Sequence, residues 1–211
     1  MSKRTEEHKR DSRYQQAKKQ GYRARSAFKL FEIQKRFNVF KRSFYILDLG
    51  SAPGSWLQVS KKIVIENIEK YKDGFYHRDH YKILGVDIKK ISSIEDIHFI
   101  KMDFSQPEFY DNVKSFFQGP KIDLIISDAS INKSGNKFSD QVKQIRLCNS
   151  TLVFLDLLKY KGNFVIKIFE GEDYKHFLNQ LKKKFQIVKA FKPQTSYKTS
   201  NQRTENREQI S

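Results

Sequence analysis

The sequence predicts an α/β fold in which helices cover both faces of a mostly parallel sheet. Short apolar segments alternate with segments of helical spacing along most of the chain, which is the order of elements that a parallel sheet requires. Several of the strand-like segments are apolar at every position, as strands buried on both faces are. A chain of 211 residues is also long enough to bury one core of this kind.

The first elements are a helix, a strand and a second helix. Apolar residues recur at spacings of three and four between Asp11 and Phe40, which predicts an amphipathic helix after Ser26, a residue type that suits an N-cap. A short apolar strand at 45–49 then ends at a glycine-rich turn, GSAPG at 50–54. Helical spacing resumes between Trp56 and Tyr71.

The rest of the chain continues this alternation. Further strand-like segments lie at 83–87, 98–102, 122–126, 162–168 and 185–190. Helical segments lie between several of them, notably between Asp140 and Leu158 and between Tyr174 and Lys184. Residues 71–81 are predicted to form an inserted loop, and residues 193–207 a polar, poorly ordered connection.

The positive charge is concentrated at the two ends of the chain. The formal net charge is +17, of which residues 1–43 contribute +10 and residues 181–211 contribute +6, while the centre is nearly neutral. Neutralisation of phosphates by Lys and Arg dominates the affinity of proteins for nucleic acids. The distribution therefore predicts a domain that binds nucleic acid through a basic face.

Composition excludes several classes of protein. No stretch approaches the roughly 18 apolar residues of a membrane-spanning helix, and the N-terminus lacks the apolar core of a signal peptide. The single cysteine, Cys148, excludes a disulfide framework or a cysteine-built metal site. His77 and His80 lie in the predicted loop without enough neighbouring ligands for a metal. We expect a monomeric, cytoplasmic protein with no membrane partner and no metal.

Acidic residues stand at the ends of four successive predicted strands. They are Asp48, Asp87, Asp103 and Asp128. In an open α/β sheet the ligand crevice lies outside the carboxyl ends of the strands, where a carboxylate accepts hydrogen bonds from ribose hydroxyls. For any single one of these residues, capping a helix or a turn is the alternative role. Four in series favour a site for a nucleoside cofactor.

The glycine turn indicates which cofactor this is. It carries no GKS or GKT, which argues against a nucleoside triphosphatase, and no GxGxxG spacing, which argues against a nicotinamide oxidoreductase. Pro53 also removes one backbone donor that a pyrophosphate would need. S-adenosylmethionine fits what remains, because it is a small cationic ligand with an adenosine end.

Two lysines and one aspartate form a second group of candidate functional residues. Lys167 interrupts an otherwise apolar strand, where an inward-facing charge is costly without a partner or a role. Two neighbouring ammonium groups disfavour double protonation, and burial acts in the same direction. Lys29 and Lys167 beside Asp128 are therefore a plausible source of one neutral lysine, which could deprotonate a ribose 2′-hydroxyl.

These motifs resemble those of the FtsJ-type ribose 2′-O-methyltransferase family, the group of heat-shock RNA methyltransferases related to RlmE. The resemblance covers nearly the whole chain and keeps the motifs in order: GYRARSAFKL at 21–30, LDLGSAPGSW at 47–56, GVD at 85–87, MDF at 102–104, ISDA at 126–129, NKSG at 132–135, FVIKIFEG at 164–171 and KP at 192–193. It implies a Rossmann-like S-adenosylmethionine-dependent methyltransferase fold. The domain would occupy 44–211 as one structural unit, preceded by a basic RNA-binding extension and helix at 1–43.

The resemblance also implies roles for individual residues. The implied contacts of S-adenosylmethionine are Gly54, Trp56, Asp87, Asp103 and Asp128. Lys29, Asp128 and Lys167 would be three members of the family's Lys-Asp-Lys-Glu tetrad, with Lys167 as the proton acceptor. The NKSG stretch is more similar to the ribosomal RNA branch than to the tRNA branch. The implied target is a uridine ribose in the A-loop of 23S-type, large-subunit ribosomal RNA.

The fourth member of the tetrad departs from the family pattern. The register after Lys192-Pro193 places an amide, Gln202, where the family has glutamate. A longer connection would instead bring in Glu208, which we prefer, or Glu205. The last strand would then be short or frayed, because the sequence stops at Ser211.

Two other functions remain open at this point. One is methylation of a ribose in the anticodon loop of tRNA, since GYRARSAFKL is shared by both branches of the family. The other is RNA binding without catalysis, because Tyr14, Tyr22 and Phe28 lie among the basic residues and aromatic rings stack on bases. Simple binding would require neither Lys167 within a strand nor the series of acids.

Overall fold

The computed structural model describes residues 12–71, 79–119 and 121–195, together with the strand at 202–209, of which only the backbone is described. The helices are α1 (Ser12–Lys19), α2 (Ser26–Phe37), α3 (Ser55–Lys70), α4 (Pro107–Phe117), α5 (Lys137–Ser150) and α6 (Tyr174–Lys182), with a 3₁₀ helix at Leu152–Leu157. The strands are β1 (Tyr45–Leu49), β2 (Lys82–Asp87), β3 (His98–Lys101), β4 (Ile122–Ser127), β5 (Leu158–Phe169), β6 (Phe185–Phe191) and β7 (Gln202–Gln209).

The seven strands form one sheet in the order β3-β2-β1-β4-β5-β7-β6. Strands β1 to β5 pair in parallel, whereas β7 is antiparallel to both β5 and β6. The strand order changes direction between β1 and β4, which makes the carboxyl ends of these two strands the switch point where such sheets bind ligands. The predicted α/β fold with a mostly parallel sheet is confirmed.

Each face of the sheet carries its own apolar core. On one face α2 and α3 pack with Ala27, Leu30 and Trp56 against strand residues such as Ile46. On the other face the rings of α4, the 3₁₀ helix and α6 pack against alternate residues of the same strands, Leu47 among them. The helix of the predicted N-terminal extension therefore shares a core with the strands that follow it, because its apolar stripe faces the sheet.

Three details of the predicted elements are wrong. Ser26 does not cap α2: Arg25 precedes the helix, and the Ser26 hydroxyl lies 2.8 Å from that of Ser55. The helix predicted between Asp140 and Leu158 ends at Ser150, and the apolar residues after it form the 3₁₀ helix and the start of β5. Residues 202–207 of the predicted connection belong to β7, whose polar sequence is held by pairing with a strand on each side.

Part of the predicted loop at 71–81, including His77, lies outside the described residues, as does 196–201. His80 is described, and its ring nitrogens face the hydroxyl of Tyr45 at 2.7 Å and the carboxylate of Asp79 at 2.9 Å. Within the described ranges, no group of three or more potential ligands could hold a metal ion. None of the described helices is long and apolar enough to cross a membrane.

Candidate functional site

A cavity of about 350 Å³ opens at the switch point, outside the carboxyl ends of the parallel strands. Three of the four predicted acids, Asp87, Asp103 and Asp128, line it. Apolar side chains, Ile88 and Leu147 among them, complete its wall. The structure therefore brings together carboxylates that are far apart in the sequence, as the parallel arrangement of the strands predicts.

The glycine turn forms one edge of this cavity and requires glycine for steric reasons. Gly50 has a φ of +79°, and a Cβ at this position would lie 2.5 Å from the Cβ of Ala129 in the loop after β4. Gly54, at φ +103°, precedes the first residue of α3. The turn can approach the neighbouring loop this closely only because Gly50 has no side chain.

The cavity acids also make local hydrogen bonds, as the capping alternative predicts. The Asp87 carboxylate accepts from the backbone N–H of Ala52 at 2.9 Å, which ties the glycine turn to β2, and from that of Lys89 at 2.8 Å. Asp103 accepts from the N–H and the hydroxyl of Ser105. These bonds fix the orientation of each carboxylate and leave it at the cavity wall.

Trp56 does not face the cavity. Its side chain is buried in the core beneath α2, and its indole N–H donates to the carbonyl of Ser26 at 2.9 Å. The indole thus joins α2 to α3. Neither Trp56 nor Gly54 lines the cavity. The Gly54 N–H donates to the carbonyl of Ser51 at 2.6 Å, and Trp56 stands in the first turn of α3, where amides have no partner within the helix.

The predicted lysine pair meets Asp128 on the α2 side of the sheet. The Lys167 ammonium donates to the backbone carbonyl of Asp128 and lies 3.1 Å from Oδ1 of its carboxylate. The Lys29 ammonium, which comes from α2, lies 3.5 Å from the same Oδ1. The Lys167 side chain is 7% exposed and that of Lys29 is 13% exposed, so both charges are largely withdrawn from water.

Burial and charge shift the pKa values of this cluster. Burial lowers the pKa of Lys167 and the nearby Lys29 charge lowers it further, while Asp128 opposes both effects; the net direction is downward. Burial alone would raise the pKa of Asp128, but the ammonium groups of Lys167 and Lys29 outweigh it and hold that pKa below its ordinary value. The arrangement can therefore supply an anionic carboxylate beside a lysine that deprotonates more readily than usual.

The three candidates for the fourth tetrad position lie on β7. Glu208 pairs with Asn163, four residues before Lys167 on β5, and so is not among the residues that the structure brings together. Glu205 pairs with Ile166, the residue before Lys167 on β5. Gln202 pairs with Phe169, two residues after Lys167, and Thr204 pairs with Lys167 itself.

Asp48 is a strand-end acid to which the sequence assigned no separate role. Its carboxylate is fully buried, and neither oxygen has a hydrogen-bond partner among the described residues. The Ser51 hydroxyl donates instead to the backbone carbonyl of Asp48. Burial, followed by repulsion from Asp128, raises the pKa of Asp48 well above its ordinary value.

Arg23 supports the cavity from outside, and the sequence did not single it out. Its guanidinium donates to the carbonyls of Ser92 at 2.8 Å, Ser93 at 2.9 Å and Pro53 at 3.3 Å. Its backbone N–H donates to the Gln58 side chain on α3. The basic motif at 21–30 was visible in the sequence, but not which of its arginines reaches the glycine turn.

Comparison with known proteins shows a family whose members resemble this chain over most of its length. The model of the FtsJ-like methyltransferase family matches residues 22–204. The ribosomal RNA large subunit methyltransferase E of Francisella philomiragia is 35% identical over 192 residues, which cover 90% of this chain and 87% of that protein. The protein of the same name from Methanococcoides burtonii is 36% identical over 89% of this chain and 65% of its own length.

A solved structure supports the same relationship. A protein from Plasmodium falciparum that is described as a ribosomal RNA methyltransferase superposes with a TM-score of 0.73 at 27% identity. The match covers 90% of this chain and 98% of that one. The similarity therefore extends over both cores and the cavity between the strand ends.

Proposed function

The chain belongs to the FtsJ-like methyltransferase family, and from this premise we propose that it transfers a methyl group from S-adenosylmethionine to a ribose 2′-hydroxyl of large-subunit ribosomal RNA. Its Rossmann-like α/β fold is the one expected of such an enzyme. The observation that carries the proposal is the buried Lys167, which lies against Asp128 at the wall of the cavity. A protein that only binds RNA has no need of this arrangement.

The cavity suits the methyl donor. Asp87, Asp103 and Asp128 favour a cationic ligand and would repel a pyrophosphate, and the apolar wall suits an adenine ring. Asp87 and Asp103 would accept hydrogen bonds from the ribose and the adenine, and Asp128 would lie toward the cationic end. The first amides of α3, including that of Trp56, suit a carboxylate. When bound, S-adenosylmethionine supplies a methyl group activated by its sulfonium charge.

The lysine pair and Asp128 would act on the sugar. Lys167, when neutral, would accept the proton of the 2′-hydroxyl as that oxygen forms its bond to the methyl carbon and the carbon–sulfur bond breaks, its electron pair remaining on the sulfur. The proton ends on Lys167 as an ammonium, which Asp128 stabilises at 3.1 Å. Lys29 favours the neutral form of Lys167 through its charge and can donate to the ribose. No metal is needed in this scheme, because the leaving thioether is neutral.

The finer assignment is a uridine in the A-loop of the 23S-type RNA. It is supported by the NKSG stretch at 132–135, part of which, Asn132, lines the cavity beside Asp128. The basic extension at 1–43 would grip the RNA, since Lys18 and Lys19 are exposed on α1. We place the protein, as a monomer, in the cytoplasm, where ribosomal subunits are its substrate.

The test is methyl transfer from labelled S-adenosylmethionine to large ribosomal subunits, to small subunits and to tRNA, followed by mapping of the modified nucleotide. We expect labelling of the large subunit. For Lys167→Ala we expect the rate to fall by about two to four orders of magnitude, the contribution of a general base. The dissociation constant of S-adenosylhomocysteine, measured by calorimetry, should change little.

Labelling of tRNA instead would move the target to the anticodon loop. An active Lys167→Ala variant would remove Lys167 from the mechanism. Binding of RNA without any transfer by the wild type would leave only the RNA-binding alternative.

A further inference from the structure

Phe169 is an aromatic residue beside the reacting lysine that neither apolar core uses. It follows Lys167 by two residues on β5, so the two side chains project from the same face of the sheet, about 6–7 Å apart along the strand. Its side chain is half-buried and, among the described residues, packs into neither core. The ammonium of Lys133 lies 5.0 Å from the centre of its ring.

Lys133 comes from a loop that is firmly attached to α5. The next residue, Ser134, donates both its N–H and its hydroxyl to the buried Asp140 carboxylate at 2.8 Å. Gln144 binds the start of the same loop through the N–H of Ile131 and the carbonyl of Ala129. Lys133 is itself exposed, so a mobile cation is presented from a fixed backbone next to Phe169.

We propose that Phe169 and Lys133 bind the nucleotide whose ribose is methylated, Phe169 by stacking on its base and Lys133 by pairing with its phosphate. The proposal rests on the proposed function, because it takes the 2′-hydroxyl to lie at Lys167. The base is attached to C1′, the neighbour of the carbon that carries this hydroxyl. A ribose held at Lys167 therefore brings its base within reach of the Phe169 ring.

Charge and geometry favour this occupant over a protein partner. The Lys133 ammonium lies over the ring, and Phe169 is not among the strongly exposed apolar side chains of the described residues, whereas a docking surface for a protein is an extended apolar patch. A base that enters over the ring displaces the Lys133 ammonium, which is then free to neutralise a phosphate. Stacking on an aromatic ring tolerates any base, so this contact provides affinity while base identity is read elsewhere.

The experiment measures binding of a fluorescein-labelled oligouridylate by anisotropy, in the presence of S-adenosylhomocysteine and over a range of salt concentrations. For Phe169→Leu we expect the dissociation constant to rise by about 5- to 20-fold at every salt concentration, as loss of a stacked base does. For Phe169→Trp we expect affinity close to that of the wild type. For Lys133→Ala we expect a loss that diminishes as salt is raised, because an ion pair is screened.

The chain offers a matched control on the same strand. Tyr160 is 55% exposed, and the ammonium of Lys161 lies 5.2 Å from its ring, but it stands near the start of β5, far from Lys167. Tyr160→Leu should bind the oligouridylate as the wild type does. The proposal is overturned if Phe169→Leu also binds as the wild type does, or if Tyr160→Leu loses as much affinity.

The affinity for S-adenosylhomocysteine shows whether Phe169 and Lys133 contact the RNA or only maintain the structure of the site. We expect it to be unchanged in Phe169→Leu and Lys133→Ala; a parallel loss in both would make Phe169 and Lys133 structural residues and overturn the proposal. Failure of the wild type to methylate any RNA would contradict the proposed function. Because the binding assay does not depend on methyl transfer, the two failures can be told apart.

Discussion

Lys167 derives its proposed reactivity from its surroundings rather than from its own chemistry. A lysine on a solvated surface stays protonated near neutral pH and cannot accept a proton. Here burial and Lys29 lower its pKa, while Asp128 prevents that pKa from falling further. Removing either neighbour should therefore move the pH at which the enzyme becomes active, in opposite directions.

Lys29→Ala tests this balance. Activity should rise with pH as Lys167 loses its proton and should level off above the pKa of Lys167. Without the Lys29 charge that pKa rises, so the ascending limb of the profile should move to higher pH. The measurement is single-turnover methyl transfer from about pH 6 to 10. A lower rate with an unmoved limb would mean that Lys29 only holds the ribose.

Asp48→Asn tests how much stability the protein loses by burying the Asp48 carboxylate. Because the pKa of Asp48 is raised in the folded state, the folded protein binds more protons than the unfolded chain above a pH of about 4, and stability falls as pH rises toward that raised pKa. The asparagine side chain does not ionise, so the variant does not lose stability in this way as pH rises. The variant should match the wild type in Tm near pH 4 and exceed it increasingly at higher pH, without ligand.

Thermal unfolding from about pH 4 to 8 measures the difference in Tm between Asp48→Asn and the wild type. Asp111→Asn, on the exposed face of α4, is the control and should alter the Tm little at any pH. A variant that is less stable than the wild type at pH 8 would show that Asp48 has a stabilising partner in the protein.

The glycine turn between β1 and α3 is held in place by other elements. Ala129 contacts it from the loop after β4, Asp87 binds the N–H of Ala52 from β2, and Arg23 binds the carbonyl of Pro53 from the segment before α2. The segment that leads to Lys29 is thus tied to the edge of the cofactor cavity.

Arg23→Lys should loosen this turn without altering the proposed reacting residues. A single ammonium cannot serve the three carbonyls that the planar guanidinium binds. Loss of about two neutral-acceptor hydrogen bonds corresponds to roughly 1–3 kcal/mol, so we expect KM for S-adenosylmethionine to rise about tenfold or more with kcat nearly unchanged. Arg36→Lys, exposed near the end of α2, is the control. An equal fall in kcat would assign Arg23 to the transition state.

At the scale of the whole molecule, the net positive charge and the cavity lie in different parts of the chain. The nearly neutral centre of the chain carries the cavity and two of the three proposed reacting residues, Asp128 and Lys167, and the basic ends supply +16 of the net charge of +17. The start of α2 lies at the cavity edge because Lys29 reaches Asp128 from it. We expect the exposed Lys18 and Lys19 of α1, the helix before α2, to contact the RNA.

Replacing Lys18 and Lys19 with glutamine should weaken RNA binding and its salt dependence together. If both contact phosphates of a single strand, the slope of log K against log salt should become less steep by about 1.4. Lys182→Gln with Lys183→Gln, at the far end of α6, should leave the slope unchanged. Equal effects of the two double variants would mean that the positive charge of the whole protein attracts RNA and that no defined basic face binds it.

The sequence by itself determined the fold class, the series of acids and the unusual lysine. These are written in local patterns: the period of apolar residues, the glycines of one turn, and one charge within an apolar strand, Lys167. Topology then follows, because parallel strands carry their carboxyl ends to one edge. The meeting of Asp87, Asp103 and Asp128 at one cavity could be predicted for this reason.

Only the tertiary structure decided which contacts those residues make. It turned the Trp56 indole into the core, left the Asp48 carboxylate without a hydrogen-bond partner among the described residues, brought Arg23 to the glycine turn and paired Glu208 four residues away from Lys167. It also made a strand of the polar residues in β7, since pairing on both sides satisfies the backbone whatever the side chains are. Each of these outcomes depends on partners distant in sequence, and a local pattern carries no record of them.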